Sequence, residues 1–182
     1  MGILNSTGKY FLNCDTDDKL YNNDSLEFLY NRAKNSNLDV ILFSRIILYP
    51  NGGRNTAILC KAFDRIIYQP ELYEITFNKY NQLRDYLIWN KLIKKEILLK
   101  AYKFLEKRIF GEKWIHYDDN TWPVLIHKYS NSKECINKTI YVHILNPTSL
   151  TNQFGSYNEL KSNIDRYEMF EQIYTSNEEK NI

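Results

Sequence analysis

Hydrophobic and polar positions along the chain fall into short blocks whose periods can be read one at a time. Tyr10 to Cys14 is apolar and runs straight into Asp15-Thr16-Asp17-Asp18, the pattern of a buried strand that delivers carboxylates at its C-terminal end. Asp24 or Ser25 then caps a helix through Leu26, Phe28, Leu29, Arg32 and Ala33, which the Asn-rich 35–37 stretch ends. Asp39 to Tyr49 is a β-branched and aromatic run broken by Pro50-Asn51-Gly52-Gly53, so it predicts a strand entering a tight turn.

Ile58 to Tyr68 and Leu72 to Phe77 fit a strand or a helix equally. Tyr86 to Ile93 predicts a strand or its exit loop, leading into an amphipathic helix from Lys94 to about Arg108 with Ile97, Leu98, Ala101, Phe104 and Leu105 on one face. The loop Gly111 to Tyr117 delivers a second acidic pair, Asp118-Asp119, before a helix through Trp122, Val124, Leu125 and Tyr129, with Pro123 expected in its first turn. Thr139 to Leu145 predicts a strand closed by Asn146-Pro147, and Tyr157 to Glu178 a terminal helix that frays into a disordered tail over 176–182. The alternation of strands and helices implies an α/β class, and the length implies a single domain over 1–182.

Composition narrows the function more than the fold. With 43% hydrophobic and 15% aromatic residues the chain has enough apolar surface to fold, which excludes disorder as a description of the whole. Its 24 basic and 22 acidic residues are interspersed, leaving no basic face for nucleic acid. Cys14, Cys60 and Cys135 are odd in number and share no metal-ligand spacing, which fits a reducing, cytoplasmic compartment. No stretch reaches the roughly 20 apolar residues of a membrane span. Met1-Gly2 with Ser6 meets the weak myristoylation pattern, so peripheral membrane association stays open.

The two acidic clusters carry the candidate chemistry. Carboxylates at one-residue spacing in Asp15-Thr16-Asp17-Asp18 let two of them reach a hard divalent cation, Mn²⁺ or Mg²⁺, which in turn bridges the phosphates of a nucleotide diphosphate. Asp118-Asp119 supplies a general base for a sugar hydroxyl, held ionised by a helix start. Aspartate is equally at home in turns and at helix caps, where it only satisfies backbone amides. An EF-hand loop is excluded, because Leu20 and Leu26 stand where Gly and Glu are required. A phosphatase of the haloacid dehalogenase type expects Thr or Val where Lys19 stands. A nuclease-like carboxylate cluster lacks a basic face to go with it.

Gly8 to Leu20 (GKYFLNCDTDDKL) resembles the signature of family 2 glycosyltransferases, a Gly-Lys/Glu-Tyr strand ending in Asp-x-Asp-Asp. Trp89 to Lys95 (WNKLIKK) resembles the Trp-x-Lys-Leu stretch before the helix beneath that family's acceptor site, and Asp118-Asp119 stands where the family has Glu-Asp. The resemblance implies a GT-A fold, a doubly wound, Rossmann-like α/β domain with a mixed sheet, flanking helices and a C-terminal helix. It implies a UDP-sugar or other NDP-sugar donor and a carbohydrate or glycan acceptor. Carried over, Asp15, Asp17 and Asp18 contact the nucleotide, and Asp17 with Asp15 holds the metal. Asp119, with Asp118, is the base. His143 stands near where some relatives place a third metal-site side chain. Trp89, Lys91 and Trp122 face the substrate; the two tryptophans offer aromatic faces for a sugar ring, with core packing the alternative expected for at least one of them.

The resemblance also implies about two or three strand–helix units ahead of the first acidic motif, where only nine residues precede Tyr10. A partial domain lacking those units is therefore expected, with Gly2 to Gly8 as the end of their last helix. The strand at Tyr10 would then show an unpaired edge, open to self-association. Three functions follow: a metal-dependent glycosyltransferase, an inactive truncated remnant acting as an interaction module, or a phosphatase-like hydrolase.

Overall fold

A computed structural model describes residues 2–57, 65–72, 87–109 and 118–147, without the side chains of 57, 107–109 and 118–120. The 58–64 and 73–77 parts of the two ambiguous segments, the start of the expected 86–93 strand, the 111–117 loop and the whole of the expected C-terminal helix and tail lie outside the described residues.

The chain is a mixed α/β layer structure built on one sheet. Its elements are α1 (Gly2–Asn5), β1 (Tyr10–Leu12), β2 (Lys19–Leu20), α2 (Ser25–Asn35), β3 (Val40–Leu48), β4 (Arg54–Ala57), β5 (Ile66–Tyr68), β6 (Lys91–Lys94), α3 (Lys95–Ile109), α4 (Asp118–Tyr129) and β7 (Ser132–Ile144). The strand order is β1-β6-β3-β7-β2, with β4 paired to β3 and β5 to β7. Among the described residues only the β3–β7 pair is parallel; β6, β4, β5, β2 and β1 all join antiparallel.

Period-2 alternation along β3 explains the two faces. Ile41 and Phe43 point, with Leu92 of β6, to the side covered by Leu29 and Ala33 of α2. Val40 and Leu42 point, with Ile93, to the side covered by Ile97 and Leu98 of α3 and Ile126 of α4. Helices on both faces bury both sides of the central strand, which is why Val40 to Ser44 is buried at every position. Ala101, Phe104 and Leu125 join α3 to α4, with Trp122 half-buried among them.

The local signals work as expected with two differences in detail. Asp24 makes no side-chain cap; the Ser25 hydroxyl instead accepts from the Asn22 amide. Asn37, at φ 46°, takes the left-handed position that closes α2, and the Leu38 amide donates back to the Ala33 carbonyl. In the β3–β4 hairpin the Gly52 amide donates to the Tyr49 carbonyl with Pro50 inside the turn, and Gly52 has φ 80°. Pro123 is the second difference: α4 starts at Asp118, so the proline sits past the first turn. Having no N–H, it gives the Asp119 carbonyl no helical donor.

β7 is longer than the expected 139–145 strand because its first half is polar in sequence and buried in fact. Ser132, Lys133 and Glu134 are 7%, 1% and 4% exposed. Each polar group has a partner that the one-dimensional pattern does not reveal: the Ser132 hydroxyl accepts from the Asp39 amide at 3.0 Å, and Glu134 takes the Arg32 guanidinium of α2 through both oxygens. Register shifts around Ser44 place extra β7 residues opposite β3. Such bulges bend a strand and re-aim its side chains. There Lys138 lies 3.6 Å over the Phe28 ring and 3.6 Å from Asp24.

Candidate functional site

β1 lies at one end of the strand order and β2 at the other, so Asn13 to Asp18 must carry the chain across the sheet. Because β1 and β3 are each antiparallel to β6, β1 runs in the same direction as β3 and β7 and points its acidic end toward their C-terminal halves. The crossing stretch is anchored on β7. The Asp15 amide donates to the Tyr141 hydroxyl at 3.0 Å, the Ile144 amide donates to Asp18 Oδ1 at 2.8 Å, and His143 Nδ1 lies 3.1 Å from Asp18 Oδ2. A turn bond from the Asp18 amide to the Asp15 carbonyl, 3.1 Å, sets the local curvature.

These bonds divide the three carboxylates. Asp18 is spent: its side chain is fully buried, with one oxygen on a backbone amide and the other on an imidazole. Asp15 and Asp17 are exposed. The Asp15 carboxylate accepts from the Asn13 side-chain amide at 3.2 Å. Crowding by protein atoms beneath it, and then the charges of Asp18 and Asp17, hold its carboxyl above the usual carboxylate range against the pull of His143 and Asn13. Tyr141 is fully buried, and its desolvation pushes the phenol far up, so its hydroxyl remains a neutral acceptor for the Asp15 amide.

The residues expected to face substrate are placed differently from one another. Trp89 is 4% exposed; its ring stacks on Tyr141 at 4.9 Å and on His143 at 5.2 Å, with the Arg45 guanidinium 4.6 Å from its centroid. Lys91 is fully buried, with its ammonium on the Leu87 carbonyl and on Asn90 Oδ1. Trp122 is half-buried in the apolar seam between α3 and α4. In this structure both tryptophans make packing contacts. His143 remains 27% exposed, on the same strand face as Tyr141 two residues earlier.

Asp118 opens α4, which covers the sheet face opposite α2. The side chains of Asp118 and Asp119 lie outside the described residues, and so does their distance from Asp17. Among the described residues no group of three or more His, Cys, Asp or Glu side chains converges as a metal cage. Two exposed carboxylates one residue apart fit a cation of the Mg²⁺ or Mn²⁺ kind that takes its remaining ligands from phosphate oxygens and water.

Tyr141, Asn13 and Arg45 belong to this neighbourhood and are absent from the sequence-based set. The signal for Tyr141 was available, since strand alternation in TIYVHIL puts it on the His143 face; nothing in one dimension places Arg45 against Trp89.

The layer order and the mixed sheet define an α/β fold with helices on both faces of the sheet. The crystal structure of S. aureus TarS residues 1–349, a glycosyltransferase of GT-A-like fold, superimposes with a TM-score of 0.56 at 16% sequence identity, over 78% of this chain and 37% of that one. The chain thus spans little more than a third of that structure. No family model and no curated protein sequence matches it. No helix among the described residues is long and apolar enough to cross a membrane.

Proposed function

We propose that the chain is the metal-side and acceptor-side part of a glycosyltransferase resembling family 2, moving a sugar from an NDP-sugar, a UDP-sugar first, to an acceptor hydroxyl. The observation that carries this reading is the unequal use of the acidic crossing: Asp18 is consumed by the fold, while Asp15 and Asp17 are left exposed beside the C-terminal half of β7. In α/β sheets that end of the strands is where ligands bind. Burial first, and then the charges of Asp18 and Asp17, hold the Asp15 carboxyl up, and a cation relieves the second of these.

In this reading Asp17 and Asp15 hold Mn²⁺ or Mg²⁺, which supplies positive charge to the departing diphosphate. Asp119 accepts the acceptor's hydroxyl proton while that oxygen bonds to the anomeric carbon, and the carbon–oxygen bond to phosphate breaks with its electron pair leaving on the nucleotide. Asp118, beside it, adds negative charge near that proton.

Purified protein incubated with UDP-sugars and Mn²⁺ is expected to release UDP, and Asp17→Ala to abolish release without lowering Tm. Tm should rise with millimolar UDP and Mn²⁺ together. A protein with neither activity nor shift is the inactive remnant or interaction module, a reading favoured by one observation: β1 pairs on one side only among the described residues. Hydrolysis of a simple phosphate ester lost in Asp15→Asn would assign the phosphatase chemistry instead.

A further inference from the structure

We propose that Arg45 binds a phosphoryl group at the open end of the sheet, with Trp89 as the positioning residue that lays its guanidinium flat for that contact. That a phosphoryl group sits there does not depend on the reading above; that it belongs to an NDP-sugar rests on it.

Three observations place Arg45 for this role. Val40 to Ser44 are buried on β3, and Arg45 is the first residue of that strand to be only half-buried, in the C-terminal half where ligands bind in α/β sheets. The register with β7 shifts on both sides of Ser44, and such irregularities re-aim the side chains beside them. Arg45 then stands opposite Tyr141, whose hydroxyl takes the Asp15 amide. The third observation is the stack. The guanidinium carbon lies 4.6 Å from the Trp89 centroid, and the same ring packs on Tyr141 at 4.9 Å and on His143 at 5.2 Å. Trp89 is buried, so its ring serves as a platform inside the protein rather than as a surface for a sugar.

Arginine keeps its charge throughout the working pH range, so this cation is permanent. Stacking engages the flat face of the guanidinium and leaves its five N–H donors in the ring-parallel plane, a fork that matches two oxygens of one phosphoryl group. Arg45 has contacts besides Trp89, and a ligand oxygen joins or replaces them along that plane. The exposed Asp15 and Asp17 repel a bare anion. They favour one that arrives with a divalent cation, and phosphoryl oxygens are ligands that such cations share with carboxylates.

Arg45→Gln removes the charge and the fork, and Arg45→Lys keeps the charge alone. In calorimetric titration with saturating Mn²⁺, UDP is expected to bind about 10-fold more weakly to Arg45→Gln than to the wild type, and about 3-fold more weakly to Arg45→Lys. Mn²⁺ by itself, followed by electron paramagnetic resonance, should bind all three equally. Trp89→Phe should lose about 3-fold for UDP in the wild-type background and nothing further in Arg45→Gln, a coupling that a merely structural role would not produce. Inorganic phosphate titrated into protein saturated with UDP and Mn²⁺ separates the two sources of the phosphoryl group. Competition with UDP assigns Arg45 to the donor's diphosphate, and additional binding assigns it to a phosphate on the acceptor.

An Arg45→Gln protein that binds UDP with Mn²⁺ and inorganic phosphate as the wild type does overturns the proposal and leaves the transferase reading standing. A wild type that binds inorganic phosphate through Arg45 but neither Mn²⁺ nor UDP supports the proposal and removes that reading. A wild type that binds none of these ligands overturns both. Additive losses in Trp89→Phe and Arg45→Gln overturn the part given to Trp89. If Arg45→Gln does not fold, Arg45→Lys decides: weakened binding of either ligand supports the proposal, and unchanged affinity for both overturns it.

Discussion

The two ends of the parallel β3–β7 pair treat aspartate in opposite ways. At the N-terminal end, Asp39 is 6% exposed and fully engaged: Oδ1 takes Lys94 at 3.2 Å, Oδ2 accepts from the Asn131 amide at 2.8 Å, and its own amide donates to Ser132. At the C-terminal end only Asp18 is engaged in this way, while Asp15 and Asp17 face solvent beside it. A buried carboxylate with both oxygens engaged by the fold holds strands together. One kept exposed among like charges gives the fold no such contact. The comparison thus sorts engaged from exposed aspartates where composition treats them alike.

The largest test of this contrast is at the closed end. Asp39→Ala leaves the Asn131 amide and a mostly buried Lys94 ammonium without their carboxylate, and should cost about 3–5 kcal/mol in urea unfolding. A loss below about 1 kcal/mol would show that the closed end is not held by this residue. Next is Arg32→Ala, which strands the buried Glu134 carboxylate on β7. Because the guanidinium is itself 49% exposed, water softens the effect, and about 1–2 kcal/mol is expected by the same measurement.

Tyr141→Phe keeps the stacking on Trp89 and removes only the hydroxyl that takes the Asp15 amide. It should cost about 1 kcal/mol of stability and weaken Mn²⁺ binding without abolishing it, checked by denaturation and by titration. The smallest effect should have the opposite sign. Asp15 has its folded-state pKa raised, mainly by burial, so its ionised form opposes folding at neutral pH. The penalty is present above that raised pKa and disappears as pH falls through it toward the ordinary 3.8. Asp15→Asn should therefore raise Tm at pH 7 by roughly 1–2 °C, with the gain fading near pH 4, and saturating Mn²⁺ should remove the wild type's disadvantage. A Tm lowered at pH 7 would mean that Asp15 is structural like Asp39.

Much of the architecture was legible because it depends on local chemistry. The apolar run after Asp39, the Pro50 to Gly53 turn, the α2 segment and the α3 stripe of Ile97, Leu98, Ala101 and Phe104 are each dictated by period and punctuation within a few residues. The first half of β7 was not, since Ser132, Lys133 and Glu134 are made tolerable inside only by partners from distant segments, as with Arg32 for Glu134 and Asp39 for Ser132. The same limit applied at the candidate site. The resemblance put Asp17 and Asp15 first for the metal, with Asp18 and His143 behind them, but nothing in the sequence showed that Asp18 is buried against His143 and Ile144.

The sequence by itself therefore determined the strand after Asp39 and its turn, the α2 and α3 helices, and that carboxylates gather after β1, because periodicity, turn residues and strand ends are properties of neighbours in the chain. Only the tertiary structure decided that Asp18 is locked onto His143 and Ile144, that Trp89 and Lys91 are interior, and that Asp15 and Asp17 remain open. Hydrogen-bond satisfaction and burial are settled between β1, β6 and β7, elements separated by most of the chain, and no local pattern encodes which partner a carboxylate will meet.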